Sequence, residues 1–170
     1  MDIVNAPRSA AGGSAHRAVA AVSQLVGSGD RIGALVLPIA AVGILLGLVE
    51  PTWFSVGGPA PWLKVASAVL LVPGVIVWLW SVVLILAKVP RGELITTGPF
   101  ALVKHPLYTG VAILVLPWAG FLLDSWLGAA VGVALYIASR LFAPTEEATL
   151  ARAFGSRWDA YRASVLIPWL

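Results

Sequence analysis

The sequence predicts an all-α membrane protein with about four transmembrane helices and a C-terminal amphipathic helix. Composition is the first reason: 59% of the residues are hydrophobic and 11% charged, with a mean hydropathy of +0.93, whereas soluble domains carry about 25% charged residues. The second is length. Four apolar stretches reach or approach the roughly 20 residues that cross a hydrocarbon core of about 30 Å. The third is the placing of charge, which falls between these stretches and almost entirely on one side of a four-span arrangement.

The 170 residues allow roughly one domain, most of it used in crossing the bilayer. Residues 1–31 form a lead-in rich in Ala, Gly and Ser without the continuous apolar core of a signal peptide, read as frayed or lying on the cytoplasmic surface. Residues 32–170 form the single membrane domain, with spans at about 32–49, 65–87, 107–123 and 126–143. The third span is short, which points to a thinned bilayer or a helix that starts among the headgroups. Only Asp124 and Ser125 separate it from the fourth, so the two form an antiparallel hairpin. Proline inside three spans, at Pro38, Pro73 and Pro117, is expected to kink them.

Orientation follows from the cations. Arg8, Arg17, Arg31, Lys88, Arg91, Lys104, Arg140, Arg152, Arg157 and Arg162 share one side, and only Lys64 falls on the other. By the positive-inside rule both termini and the 88–106 loop are cytoplasmic, with Glu50 and Asp124 at the outer turns and Trp53, Trp62 and Trp126 in an outer aromatic belt. This distribution accounts for the net charge of +3, so no nucleic-acid partner is expected. The absence of cysteine excludes disulfides and thiolate chemistry. No metal-ligand spacing and no Gly-rich dinucleotide fingerprint occurs.

In the 144–170 tail the hydrophobic period becomes amphipathic. Leu150, Phe154, Trp158, Tyr161 and Val165 fall within about 80° on a helical wheel. Thr145 is the expected N-cap, with Glu146 and Glu147 in the first turn, and Gly155 is placed to bend or break the helix. The loop and the tail are the sizeable polar segments of the membrane domain, and the short hairpin brings their ends together. His105 and Glu146 should therefore be neighbours in a cytoplasmic pocket suited to a polar, cationic small molecule.

Two stretches, "GELITTGPFALVKHPLYTG" and "TEEATLARAFGSRWDAYRASV", carry a family resemblance. They are similar to the paired signature of the membrane-embedded isoprenylcysteine carboxyl methyltransferase and phospholipid methyltransferase family, roughly L-x-T-x-G-P-[YF]-x-x-x-R-H-P-x-Y-x-G followed by E-E-x-x-L-x-x-x-F-G-x-x-[YW]-x-x-Y. The match covers residues 92–165. The resemblance implies an enzyme that uses S-adenosylmethionine in a cytoplasmic pocket and methylates a lipid or lipid-like small molecule on a carboxylate, amine or hydroxyl. Carried over by position, the cofactor would touch Gly92, Glu93, Leu94, Ile95, Phe100, His105, Pro106, Leu107, Tyr108 and Glu146. Glu146 would meet its ammonium and His105 its carboxylate. Lys104 stands where the family usually has Arg. The family's acceptor-side arginine position is occupied by Phe142, with Arg140 close enough to reach the same spot by snorkelling. The alternative is an NADPH-dependent membrane reductase of the sterol-reductase type, with Lys88, Arg91 and Lys104 meeting the phosphates.

Overall fold

A computed structural model describes residues 9–58 and 60–169, with side chains from residue 29 onward. Seven α-helices are described: α1 (Ser9–Val49), α2 (Pro61–Lys88), α3 (Pro99–Leu102), α4 (Pro106–Gly110), α5 (Leu116–Leu122), α6 (Leu127–Phe154) and α7 (Ser156–Ser164). Three segments are long and apolar enough to cross a membrane: Gly29–Val49, Pro61–Arg91 and Leu127–Phe154. Pro106–Leu122 is a shorter apolar helix, roughly 25 Å at 1.5 Å per residue. The protein is an integral membrane protein, and its surface agrees with that solvent. Leu37, Leu45, Val72 and Ile76 point outward while Ser67 and Ser81 are buried, the reverse of a soluble fold.

Proline and glycine set the helix boundaries. Pro51 drives Glu50 out of the helical region, to φ −132° and ψ 82°, and ends α1. Pro61, Pro99 and Pro106 each begin a helix, where a missing N–H costs nothing. Beyond α2, a 3₁₀ turn at Val89–Arg91 ends on Gly92 in the left-handed conformation. Gly98 is required twice over: its φ is +64°, and a Cβ there would come within 3.0 Å of the Trp80 indole. Between α4 and α5 the chain widens into a π-helical turn at Val111–Val115 just before Pro117. Proline cannot donate to the carbonyl one turn back and clashes with it, and a π turn relieves that clash.

Helix α6 packs against both α1 and α5, while α2 packs against α4, the π turn and α5. The central cluster is Ile32, Val36, Val131 and Ala138, with Leu135 and Phe142 packed on it. Glycine permits the close approach of the predicted hairpin. A Cβ on Gly128 would overlap the Leu116 carbonyl oxygen and the Gly120 Cα, both backbone atoms. At the hairpin turn Asp124 takes φ +58°, and its carboxylate accepts from Ser55 Oγ at 2.7 Å and Gly58 N at 3.0 Å. The Trp126 indole donates to Trp53 O at 3.0 Å.

Three expectations are corrected. Thr145 is not an N-cap, because α6 runs without interruption from Leu127 to Phe154 with Pro144 inside it. The helix-forming residues on either side carry it through the proline, at the loss of one backbone bond. The tail is consequently not one amphipathic helix but the end of α6 and the short α7, broken at Gly155 with φ +53° and ψ −129°. The break itself was expected from Gly155. Finally, the lead-in is helical from Ser9 and continuous with the first span, in keeping with its alanine content; residues 1–8 lie outside the described residues.

Gly128→Ala is expected to destabilise the protein by about 1–3 kcal/mol, since its methyl group meets rigid backbone. Gly33→Ala, whose methyl group would meet only Leu37 Cδ1 at 3.9 Å, should be near neutral. Thermal unfolding of both variants in detergent checks the contrast, and equal effects would contradict the packing.

Candidate active site

The loop from Val89 to His105 crosses one end of the helix bundle and is held from two directions. From the C-terminal side, the Tyr161 hydroxyl donates to Phe100 O at 2.9 Å. Leu166 N and Ile167 N donate to Ala101 O and Leu102 O at 3.2 and 2.8 Å. Trp158, Tyr161 and Val165 are buried together against Leu94, Leu150 and Phe154. The apolar stripe of the tail therefore covers the loop, where a surface anchor would have faced lipid headgroups.

From α6, two carboxylates meet Lys104 and His105 at the end of the loop. His105 is the N-cap of α4, at φ −123° and ψ 59°, because the following Pro106 disfavours a helical conformation there. The imidazole therefore leaves the helix axis and reaches α6. Its Nδ1 lies 3.3 Å from Glu146 Oε2, and Lys104 Nζ donates to Glu147 Oε1 at 2.5 Å. Both members of the first pair are largely shielded from solvent, with side chains 12% and 6% exposed. His105 Nε2 is buried without a hydrogen-bond partner. The closest approach of Glu147 Oε1 to it is 3.6 Å, too long for a hydrogen bond. Burial works to lower the His105 pKa, but its contacts with Glu146 and Glu147 and their charges outweigh that effect and raise it above the ordinary imidazole value. Burial pushes the Tyr161 phenol up to about 12, with the Glu147 charge adding to it.

These elements enclose a cavity of about 300 Å³, within the range of small-molecule sites. All ten residues assigned by motif to the cofactor line it: Gly92, Glu93, Leu94, Ile95, Phe100, His105, Pro106, Leu107, Tyr108 and Glu146. Arg140 and Phe142 are not in the lining. On an uninterrupted helix Arg140, six residues before Glu146, lies about 120° around from it and is exposed. Phe142 packs into the central helix cluster. Lys104, Gly29 on α1, Ile85 and Val89 near the end of α2, and Leu150, Phe154, Trp158 and Tyr161 complete the wall. Gly29 carried no signal in the sequence. The last four were visible as an apolar stripe whose partner was not.

The cavity lies at one end of the helix bundle, apolar over most of its wall and charged at the Lys104, His105 and Glu146 corner. The model of the isoprenylcysteine carboxyl methyltransferase (ICMT) family matches residues 67–152, just over half of the chain, and the chain belongs to this family of membrane methyltransferases. No curated protein and no solved structure matches it.

The His105 geometry fixes a pH dependence of stability. A group whose pKa is raised on folding contributes stability that is complete below its unfolded-state value, about 6.5 for histidine, and lost as pH rises through the higher folded-state value. The Tm in detergent should therefore fall as pH is raised from roughly 6.5, and His105→Gln should remove that part of the slope. The same slope in the variant would assign it to another group.

Proposed function

We propose that this methyltransferase uses S-adenosylmethionine, held in the cavity at the cytoplasmic face, to methylate a lipid-like or membrane-soluble acceptor on a carboxylate, amine or hydroxyl. The observation that carries the reading is the His105–Glu146 corner. A buried imidazole whose pKa is raised presents an unpartnered Nε2, and a ligand carboxylate is the acceptor such a donor lacks. Beside it, Glu146 supplies the carboxylate that an α-ammonium group needs. The donor set thus fits an amino-acid moiety, and Phe100, Tyr108, Phe154 and Trp158 in the same wall suit an adenine ring.

When bound, the cofactor would supply a methyl group already activated by its sulfonium. The residues of this chain then have three tasks. His105 and Glu146 fix the amino-acid end, the aromatic wall fixes the nucleoside, and the cover formed by Leu150, Phe154 and Trp158 excludes water. Alignment of acceptor and methyl is where the rate gain arises, because orientation alone supplies several kcal/mol. The NADPH alternative is less well supported. Of the three cations suited to its phosphates, Lys88 and Arg91 do not line the cavity, and Lys104 is paired with Glu147. The matching family, moreover, is one of methyltransferases.

Calorimetry on the detergent-purified protein should show binding of S-adenosylhomocysteine and none of NADPH. Glu146→Gln keeps shape but removes the charge, and a lost charged hydrogen bond of about 1.5–3 kcal/mol should weaken that binding roughly 10- to 150-fold. Unchanged affinity in a folded Glu146→Gln protein would confine the residue to a structural role. Preference for NADPH would reverse the assignment of the cavity.

The cytoplasmic placing rests on the bias of basic residues. Because the chain has no cysteine, single cysteines at Ser156 and Val56 give a clean test. Val56 is preferred to the neighbouring Gly57, whose φ of +102° a cysteine would strain. In oriented vesicles Ser156→Cys should be labelled from the cytoplasmic side and Val56→Cys from the other; the opposite pattern would place the cavity outside.

A further inference from the structure

Glu147 Oε1 faces two cationic groups at once. It accepts from Lys104 Nζ at 2.5 Å and stands 3.6 Å from His105 Nε2. The other ring nitrogen, Nδ1, is already beside Glu146, and an imidazolium has only these two donors. We propose that Lys104 and Glu147 are positioning residues: Lys104 holds the Glu147 carboxylate off His105 Nε2, so the imidazole gives one nitrogen to Glu146 and keeps the other for the ligand in the cavity. The ligand's identity rests on the methyltransferase reading above; the arrangement of the four side chains does not.

Geometry and electrostatics both favour this division. Closing the 3.6 Å gap to a charge-assisted hydrogen bond of about 2.8 Å needs a movement of less than about 1 Å. In a shielded site an unpaired carboxylate next to an imidazolium has strong reason to make that movement. With Lys104 gone, Glu147 would take Nε2, both ring nitrogens would be used by carboxylates, and no donor would remain for a ligand. Among the described residues lining the cavity, Lys104 is the one cation besides His105. The ionisable groups around it are Glu146 and Glu147 from α6, Lys104 from the loop, and Glu93, Tyr108 and Tyr161 in the same wall. Lys104 would thus act on affinity through Glu147, without needing to touch the ligand. Its removal should be reversible by removing the charge it restrains.

The test combines two measurements on full-length protein in detergent. In the first, the His105 imidazole is titrated by NMR with no ligand added. The chain has two histidines, so the His105 signal is assigned by its loss in His105→Gln. Its pKa should rise in Lys104→Met and fall in Glu147→Gln. In the second, S-adenosylhomocysteine binding should weaken roughly tenfold or more in Lys104→Met. It should return to within about threefold of the original in the Lys104→Met/Glu147→Gln double variant. Lys104→Gln, with Tm followed alongside, serves if the methionine variant does not fold.

A double variant as weak as Lys104→Met would mean that Lys104 contacts the ligand directly, and would overturn the proposal. Unchanged affinity in Lys104→Met, or a His105 pKa that moves in neither variant, would also overturn it. If the unmodified protein does not bind S-adenosylhomocysteine but the titrations shift as stated, the cofactor reading fails and the positioning role stands.

Discussion

Four side chains at one end of the bundle, Lys104, His105, Glu146 and Glu147, carry the constraint on which the rest of the structure depends. They sit on two segments far apart in sequence, the loop before α4 and the last third of α6. In a shielded environment each charge is tolerable only because its partners are there. The loop cannot move without stranding carboxylates, and α6 cannot rotate without stranding cations. The cavity wall is thus fixed at the corner where the proposed ligand would be recognised, while its remaining surface is built from apolar packing that tolerates variation more readily.

The backbone near this corner satisfies the same demand by other means. In a membrane every break in a helix needs a local solution, and the breaks here are of different kinds. At His105–Pro106 the proline occupies a first-turn position, so no hydrogen bond is lost. At Pro117 the preceding turn widens. At Gly98 and Gly155 a positive φ redirects the chain. Each device is encoded by one or two residues, and each turns a helix end toward the cavity or supports one that does.

Much of this was legible in the sequence, because its main signals are local. Apolar run length located the long helices, although α6 runs on to Phe154, well past the expected end at residue 143, and Asp124–Ser125 gave the hairpin. The His-Pro-x-Tyr and Glu-Glu motifs gave the meeting of His105 with Glu146, which the structure places at 3.3 Å. Misreadings arose where a residue has two local meanings. Thr145 followed by two acids reads as a helix start, but Pro144 is carried inside α6. What could not be read was tertiary in origin: Gly29 comes to the cavity wall from the distant α1, and the tail's apolar face gave no hint that Leu94 was its partner. The competition of Lys104 and His105 for one Glu147 oxygen is also invisible until distances are known.

The far end of the bundle is held by a separate set of hydrogen bonds. There Asp124 bonds to Ser55 and Gly58, and Trp126 bonds to Phe54 and Trp53 through its main-chain and indole N–H groups. This knot joins the α1–α2 connection to the α5–α6 turn, so those helix ends share a clamped pivot. Ile85 and Val89, near the end of α2, and Leu150 on α6 form the apolar side of the cavity wall, at the opposite end of the bundle from the Asp124 knot. The bundle is therefore tied by hydrogen bonds at the end away from the cavity, so the proposed site bears none of that tie.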